Sequence, residues 1–261
     1  MLRRRVPGQR SVVVTGGSAG IGQAMVREFL AAGDRVTYCG RNDTRLQHSL
    51  GPLREEFPGC VSAIVADVGT AQGIDKLIAA ALDECGTIDI LVNNGASAES
   101  GNLMSLSDAQ WQSEFDQKLM AMVRTARGVF DVMHDHGGGV IVNINSVFAR
   151  APDASFYASS VIRAGCLSFT KLLAKEGAPY GIRAVAIGLG LVATDAWRPW
   201  CPSDVSLDEY QLLTARQYGV PLERMARPKE IARVVRFLCS EDAAYITGTQ
   251  VDVDGGLSPG L

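Results

Sequence analysis

Short β-branched runs alternate with longer helical patterns along all 261 residues, which predicts an α/β fold: a doubly wound parallel sheet with helices on both faces. Two further observations narrow this. The runs Ser11 to Thr15, Arg35 to Cys39, Val61 to Ala66, Ile88 to Val92, Val140 to Asn145 and Ile182 to Ile187 are largely apolar, as strands covered on both faces must be. Parallel neighbours also need crossover connections, normally right-handed, and helical patterns fill the intervals. No repeat, linker or shift of composition divides the chain, so a single domain is expected over residues 1–261.

The first strand runs into Thr15-Gly16-Gly17-Ser18-Ala19-Gly20-Ile21-Gly22, and a helix carrying Ala24, Met25, Phe29 and Leu30 follows. Glycines between a first strand and a first helix let backbone N–H groups approach a diphosphate, which the positive helix end favours. The second strand ends Tyr38-Cys39-Gly40-Arg41, with no carboxylate to hold a ribose 2′-hydroxyl. Gly40 leaves room for a 2′-phosphate and the planar guanidinium of Arg41 can pair with it, so NADP(H) is the expected dinucleotide. Residues 195–227 break the rhythm, with Trp197, Pro199, Trp200, Cys201 and Pro202 ahead of a helix expected at Ser206 to Gln217. A long insertion after a late strand is placed to cover the crevice beyond the strand ends, and it is read as a substrate lid. The alternative is that Trp197 and Trp200 only pack this segment onto the body. A helix at Pro228 to Cys239 and a short strand at Gln250 to Val253 close the pattern ahead of Gly255 and Gly256.

Bulk properties exclude other classes. A net charge of −3 gives no electrostatic footprint for nucleic acid or an anionic membrane. The longest apolar runs are strand-length, well short of the roughly 20 residues that cross a bilayer. Arg3, Arg4 and Arg5 are followed by Pro7 and Gly8 and not by an apolar stretch, so no secretory signal is read and a cytoplasmic protein is expected. Cys39, Cys60, Cys85, Cys166, Cys201 and Cys239 include no C-x-x-C pair or neighbouring histidine, so no metal is expected and they read as small apolar residues. His134 and His136 read as solvated helix-terminal residues ahead of Gly137.

The spacing Thr-Gly-x-x-x-Gly-x-Gly at Thr15 to Gly22, Asp67-Val68 after the third strand, Asn93-Asn94-Gly95-Ala96 after the fourth and Asp254-Gly255-Gly256 near the end occur in the order of one family. In these motifs the chain resembles the short-chain dehydrogenase/reductases over almost its whole length. The resemblance implies a Rossmann-like fold, a dinucleotide held by Gly16, Ser18, Ala19, Gly20, Ile21, Gly22, Arg41, Asp67, Val68, Asn94 and Gly95, and a homodimer or homotetramer built on the helices near residues 108–136 and 155–178. After the sixth strand Leu189 to Thr194 stands where the family has a Pro-Gly-x-x-x-Thr stretch. Gly190, Val192 and Thr194 are then expected on the nicotinamide side.

At the reaction centre the resemblance is partial. The family uses a serine, a tyrosine and a lysine four residues after the tyrosine, assisted by an asparagine on an earlier helix. Ser146 follows the fifth strand and Tyr157 comes eleven residues later, a slightly short interval. These two are expected to hydrogen-bond a substrate carbonyl and to transfer its proton, with Tyr157 also beside the cofactor. The lysine position after Tyr157 is Val161. Arg163 lies roughly 240° round the helix from Tyr157 and is expected to point elsewhere. Aligning Trp111 with a tryptophan common in the family puts Lys118 at the asparagine position, so Lys118 is expected to face the cleft and replace the missing cation. The reading favoured is an NADP(H)-dependent oxidoreductase that reduces a carbonyl or oxidises an alcohol, on a fairly bulky, non-acidic small molecule. Redox-neutral chemistry on the same scaffold (epimerisation, elimination or decarboxylation) and a non-catalytic NADP-binding protein are the alternatives.

Overall fold

The computed structural model describes residues 8–94 and 100–259. Seven parallel strands form one sheet in the order β3-β2-β1-β4-β5-β6-β7. These are β1 (Ser11–Val14), β2 (Arg35–Gly40), β3 (Val61–Val65), β4 (Ile90–Asn93), β5 (Gly139–Ser146), β6 (Ile182–Leu189) and β7 (Gln250–Val253). The doubly wound sheet expected from the sequence is therefore the observed one.

Alternation along the strands feeds two cores. Val12 and Val14 of β1 face one side with Met25 and Phe29 of α1 (Gly20–Ala31), Leu46 and Leu50 of α2 (Asp43–Glu56) and, from the far end of the chain, Ile231 and Val235. Val13 faces the other, against Ile74 and Leu77 of α3 (Ala71–Cys85), with Val129, Met133, Leu173 and Ala174 packed in the same layer. Residues one apart on a strand point to opposite faces, which is why these strands are apolar nearly throughout.

On the second face α4 (Asp108–Phe115) passes through a π-helical turn at Asp116–Met120 into α5 (Ala121–Asp135). Such turns widen the helix and often lie at functional sites; this one carries Lys118. α6 (Tyr157–Gly177) connects β5 to β6 and runs antiparallel to them. The segment at 195–227 holds a 3-10 turn at Asp195–Trp200 and α7 (Leu207–Gln217), after which α8 (Pro228–Leu238) packs against α1. Strand order reverses at the boundary of β1 and β4, so a crevice opens beyond the carboxyl ends of these strands, the usual ligand site in open α/β sheets.

The histidines at the end of α5 make local contacts. The His134 ring lies 4.6 Å from that of Tyr180, and His136 Nδ1 is 2.8 Å from the Val132 carbonyl. Cys39, Cys166 and Cys239 are buried, and Cys60, Cys85 and Cys201 are half-buried, all as free thiols. No helix among the described residues is long and apolar enough to cross a membrane.

Candidate active site

A cleft of about 1160 Å³ occupies the crevice. Its floor is the turn from β1 into α1. Gly16 has φ 65°, and Ala19, ahead of the helix, is extended with no side-chain cap, so the first N–H groups of α1 open into the cleft. Asn94 pins the turn: its N–H donates to Thr15 Oγ1 at 2.8 Å, and its Nδ2 donates to the carbonyls of Thr15 at 3.0 Å and Gly16 at 3.2 Å. A Cβ on Gly22 would stand 2.1 Å from the Gly16 carbonyl oxygen and 2.7 Å from Asn94 Nδ2, so only glycine fits. At the end of β2, a Cβ on Gly40 would come within 2.7 Å of Ser18 Oγ.

Of the residues expected to hold a dinucleotide, Gly16, Ser18, Ala19, Gly20, Ile21, Gly22, Arg41, Val68, Asn94 and Thr194 line this cleft. Gly95 lies outside the described residues. Four others, Asp67, Tyr157, Gly190 and Val192, do not line it. Asp67 spends its Oδ1 on the Gly69 N–H at 2.9 Å and Gln117 Nε2 at 3.1 Å, which leaves Ala66 and Val68 to form the wall. Gly190 packs on the Asp254 backbone, and buried Val192 bridges to Ala226, so only Ala193 and Thr194 of that stretch reach the cleft.

Sequence reading missed Arg45, which lines the cleft beside Arg41. Asn42 starts α2 by accepting the Arg45 N–H at 2.8 Å, which places Arg45 in the first helical turn, near Arg41. Among the described residues neither guanidinium has a partner, so their donors are open to an anion. The 195–227 segment supplies Asp195, Ala196, Pro199, Leu207, Asp208 and Gln211 to the cleft rim. It is anchored there by Gln211 Nε2 donating to the Thr194 carbonyl at 2.9 Å and Trp197 Nε1 donating to the Val192 carbonyl at 2.8 Å. Trp197 packs against Ala215, Val220 and Met225, whereas Trp200 is exposed. A bare helix terminus, a turn that a Cβ would fill and an open pair of arginines fit a dinucleotide with a third phosphate.

The reaction side differs from expectation. Ser146 ends β5, accepting the Phe148 N–H at 3.2 Å. Tyr157 begins α6 with 38% of its surface exposed and its ring set edge-on to Trp111, and its hydroxyl has no hydrogen-bond partner among the described residues. Val161 is 55% exposed. That face of α6 turns outward. Lys118 is 1% exposed and donates to the carboxylate of Glu114 and, at 3.2 Å, to Ser159 Oγ. It therefore faces Ser159, a residue that is 3% exposed, and not Tyr157.

Arg163 also belongs to the inward face, four residues and roughly 40° on from Ser159. Its Nη1 donates to the Ile144 carbonyl at 2.7 Å, and its own carbonyl accepts from Asn145 Nδ2 at 3.1 Å. The helical arithmetic separating Arg163 from Tyr157 holds: Arg163 lies on the side of α6 turned toward β5, and Tyr157 and Val161 lie on the exposed side. Ser159 falls thirteen residues after Ser146, and Arg163 follows it at the same four-residue step as the family's tyrosine and lysine.

Lys118 and Arg163 share a small chamber of about 10 Å³ with Thr15, Asn93, Ala121, Met122 and Ile144. Asn94 and Gln117 line both this chamber and the large cleft, so the two adjoin. Burial pulls the Lys118 ammonium down to about 8; the Arg163 charge pushes the same way and Glu114 opposes both. Burial likewise lowers Arg163 and raises the Cys166 thiol nearby.

A family model described as enoyl-(acyl carrier protein) reductase matches residues 16–258. The chain is 34% identical to the 3-oxoacyl-(acyl-carrier-protein) reductase FabG of Chlamydia pneumoniae, over 95% of this chain and 97% of that protein. Among solved structures it resembles the L-sorbose reductase of Gluconobacter frateurii complexed with NADPH and L-sorbose, with TM-score 0.91 and 32% identity over 97% of this chain and 98% of that one. It also resembles an NADPH-bound short chain oxidoreductase of Pseudomonas aeruginosa PAO1 described as containing an atypical catalytic center. That match has TM-score 0.91 and 35% identity over 98% of this chain and 100% of that one.

Proposed function

The chain belongs to the short-chain dehydrogenase/reductase family, and from that premise we propose that it is an oxidoreductase that uses NADP(H) to reduce a carbonyl compound or oxidise the corresponding alcohol. The observation carrying this reading is the cleft floor: bare N–H donors at the start of α1, the turn that only Gly22 fits, and two unpartnered arginines beside Gly40. Two similar structures bind NADPH, which supports the same dinucleotide here. The α1 amides hold the diphosphate over the turn that Asn94 pins, Arg41 and Arg45 hold the 2′-phosphate, and Thr194 the nicotinamide side. When bound, the reduced nicotinamide supplies hydride to the carbonyl carbon.

Ser146 at the end of β5 is the hydrogen-bond donor to the carbonyl oxygen in this reading. The chain acts as one domain, with residues 195–227 as the lid whose Leu207 and Gln211 close the rim over a small, fairly bulky substrate. It works in the cytoplasm as a homodimer or homotetramer.

The test follows NADPH absorbance while the protein is offered an aryl ketone, a ketose and a 3-ketoacyl thioester. Consumption of NADPH matched mole for mole by alcohol supports the reading. Product without NADPH consumption would favour redox-neutral chemistry, and binding without turnover of any of them would favour a non-catalytic NADP-binding protein.

A further inference from the structure

We propose that Ser159 and Lys118, with Arg163 beside them, form the proton-supplying centre of this oxidoreductase, and that Tyr157 takes no part in the chemistry. The inference rests on the oxidoreductase reading above, and goes beyond it in naming the atoms that carry the proton.

The geometry begins with α6. Arg163 is tied to Ile144 and Asn145 of β5. The four residues back to Ser159 span about 6 Å along α6, and two strand residues span about the same length. Ser159 therefore stands level with Ser146 at the carboxyl end of β5, where the carbonyl oxygen must lie to meet Ser146. Behind Ser159 sits Lys118, 3.2 Å away, its Nζ held on its other side by Glu114. The chamber containing Lys118 and Arg163 adjoins the cleft through Asn94 and Gln117 and has room for about one water molecule. Arg163 Nε is buried with no partner among the described residues and is free to donate to such a water. Among the described residues nothing comparable surrounds the Tyr157 hydroxyl.

The transfer balances. As hydride reaches the carbonyl carbon, the π pair of the C=O bond moves to oxygen. That oxygen takes the proton of the Ser159 hydroxyl, and Ser159 Oγ takes a proton from the Lys118 ammonium, which becomes a neutral amine and regains its proton from solvent through the chamber. Alcohol oxidation runs the same steps backwards.

The groups facing Lys118 are Glu114 from α4 and Arg163 and Cys166 from α6; Thr15, Asn93, Asn94 and Ile144, from the sheet side, carry no charge. With Lys118 brought to about 8, the ammonium needed for reduction is lost as pH rises through that value, whereas oxidation gains its amine there.

The test compares wild type with Ser159→Ala, Ser159→Thr, Tyr157→Phe and the double variant Lys118→Met/Glu114→Gln, which avoids a buried unpaired carboxylate. Ser159→Ala removes one oxygen and should lower kcat about 100-fold or more at unchanged NADPH affinity. Ser159→Thr should restore most of that loss, the double variant should abolish the fall in reduction near pH 8, and Tyr157→Phe should stay within about twofold of wild type. A Tyr157→Phe enzyme that loses turnover while Ser159→Ala keeps it would overturn the proposal. A second readout needs no turnover: NMR of labelled lysines in the ligand-free protein should show Lys118 titrating near 8 and moving upward in Arg163→Met. Titration of Lys118 at an ordinary value of about 10.4 would overturn the proposal. A wild type that turns over no carbonyl compound at all would instead refute the oxidoreductase reading, leaving the lysine titration to judge the pair alone.

Discussion

Gly22→Ala puts the cofactor cradle under direct strain. The added methyl would lie 2.1 Å from the Gly16 carbonyl oxygen and 2.7 Å from Asn94 Nδ2. The first neighbour is backbone in a turn fixed by the Gly16 φ of 65° and by the Gly17 N–H donating to the Cys39 carbonyl at 2.9 Å, so it cannot swing aside as a side chain would. Relief requires either opening the turn or moving Asn94, and moving Asn94 gives up its bonds to Thr15 and Gly16. Forcing one methyl into a packed site costs about 1–3 kcal/mol, which corresponds to a fall in Tm of roughly 2–12 °C for a domain of this size. Because the displaced backbone carries the diphosphate donors, dinucleotide affinity should fall further, by about 100-fold or more, as two charge-assisted hydrogen bonds are lost. Calorimetric unfolding and an NADPH titration measure the two effects separately. A variant with wild-type Tm and wild-type NADPH affinity would refute the reading of this turn as the phosphate cradle.

Arg41→Ala should weaken NADPH binding about tenfold, the lower end for a charged hydrogen bond because the site is exposed, and leave NADH nearly unchanged; adding Arg45→Ala should bring the two dinucleotides to parity, as read by fluorescence titration. Lys118 also leaves a mark on stability. Its folded-state value of about 8 lies below the unfolded value of about 10.4, so between these pH values the unfolded chain binds more protons and stability rises with pH. Urea unfolding of wild type should therefore gain on Lys118→Met/Glu114→Gln from pH 8 to 10, and a constant difference would contradict the burial of this lysine.

The cofactor half was legible because its signals are local. A strand, a glycine turn and a helix follow one another in sequence, and Gly40 and Arg41 are adjacent, so little three-dimensional knowledge is needed to see a phosphate cradle. Strand limits moved only slightly, with β5 reaching Ser146 and β6 reaching Leu189. The reaction half depends on which side of α6 turns inward, which local pattern does not fix. Tyr157 and Val161 have the same spacing as Ser159 and Arg163, so spacing alone does not separate the two pairs. Packing does separate them, leaving Val161 in solvent and Ser159 against Lys118. Lys118 is expected from sequence to face the cleft; the π-helical turn and α6 instead bury it against Glu114, four residues before it, a pairing that local sequence does not reveal.

The α1 terminus with Arg41 and Arg45 forms the site proposed for a dinucleotide carrying a 2′-phosphate. Calorimetric titration of the purified protein with NADPH and then with NADH tests it most directly. NADPH should bind at least about tenfold tighter, the worth of one charge-assisted contact to that phosphate. NADH binding as tightly or more so, or no heat from either, would contradict it.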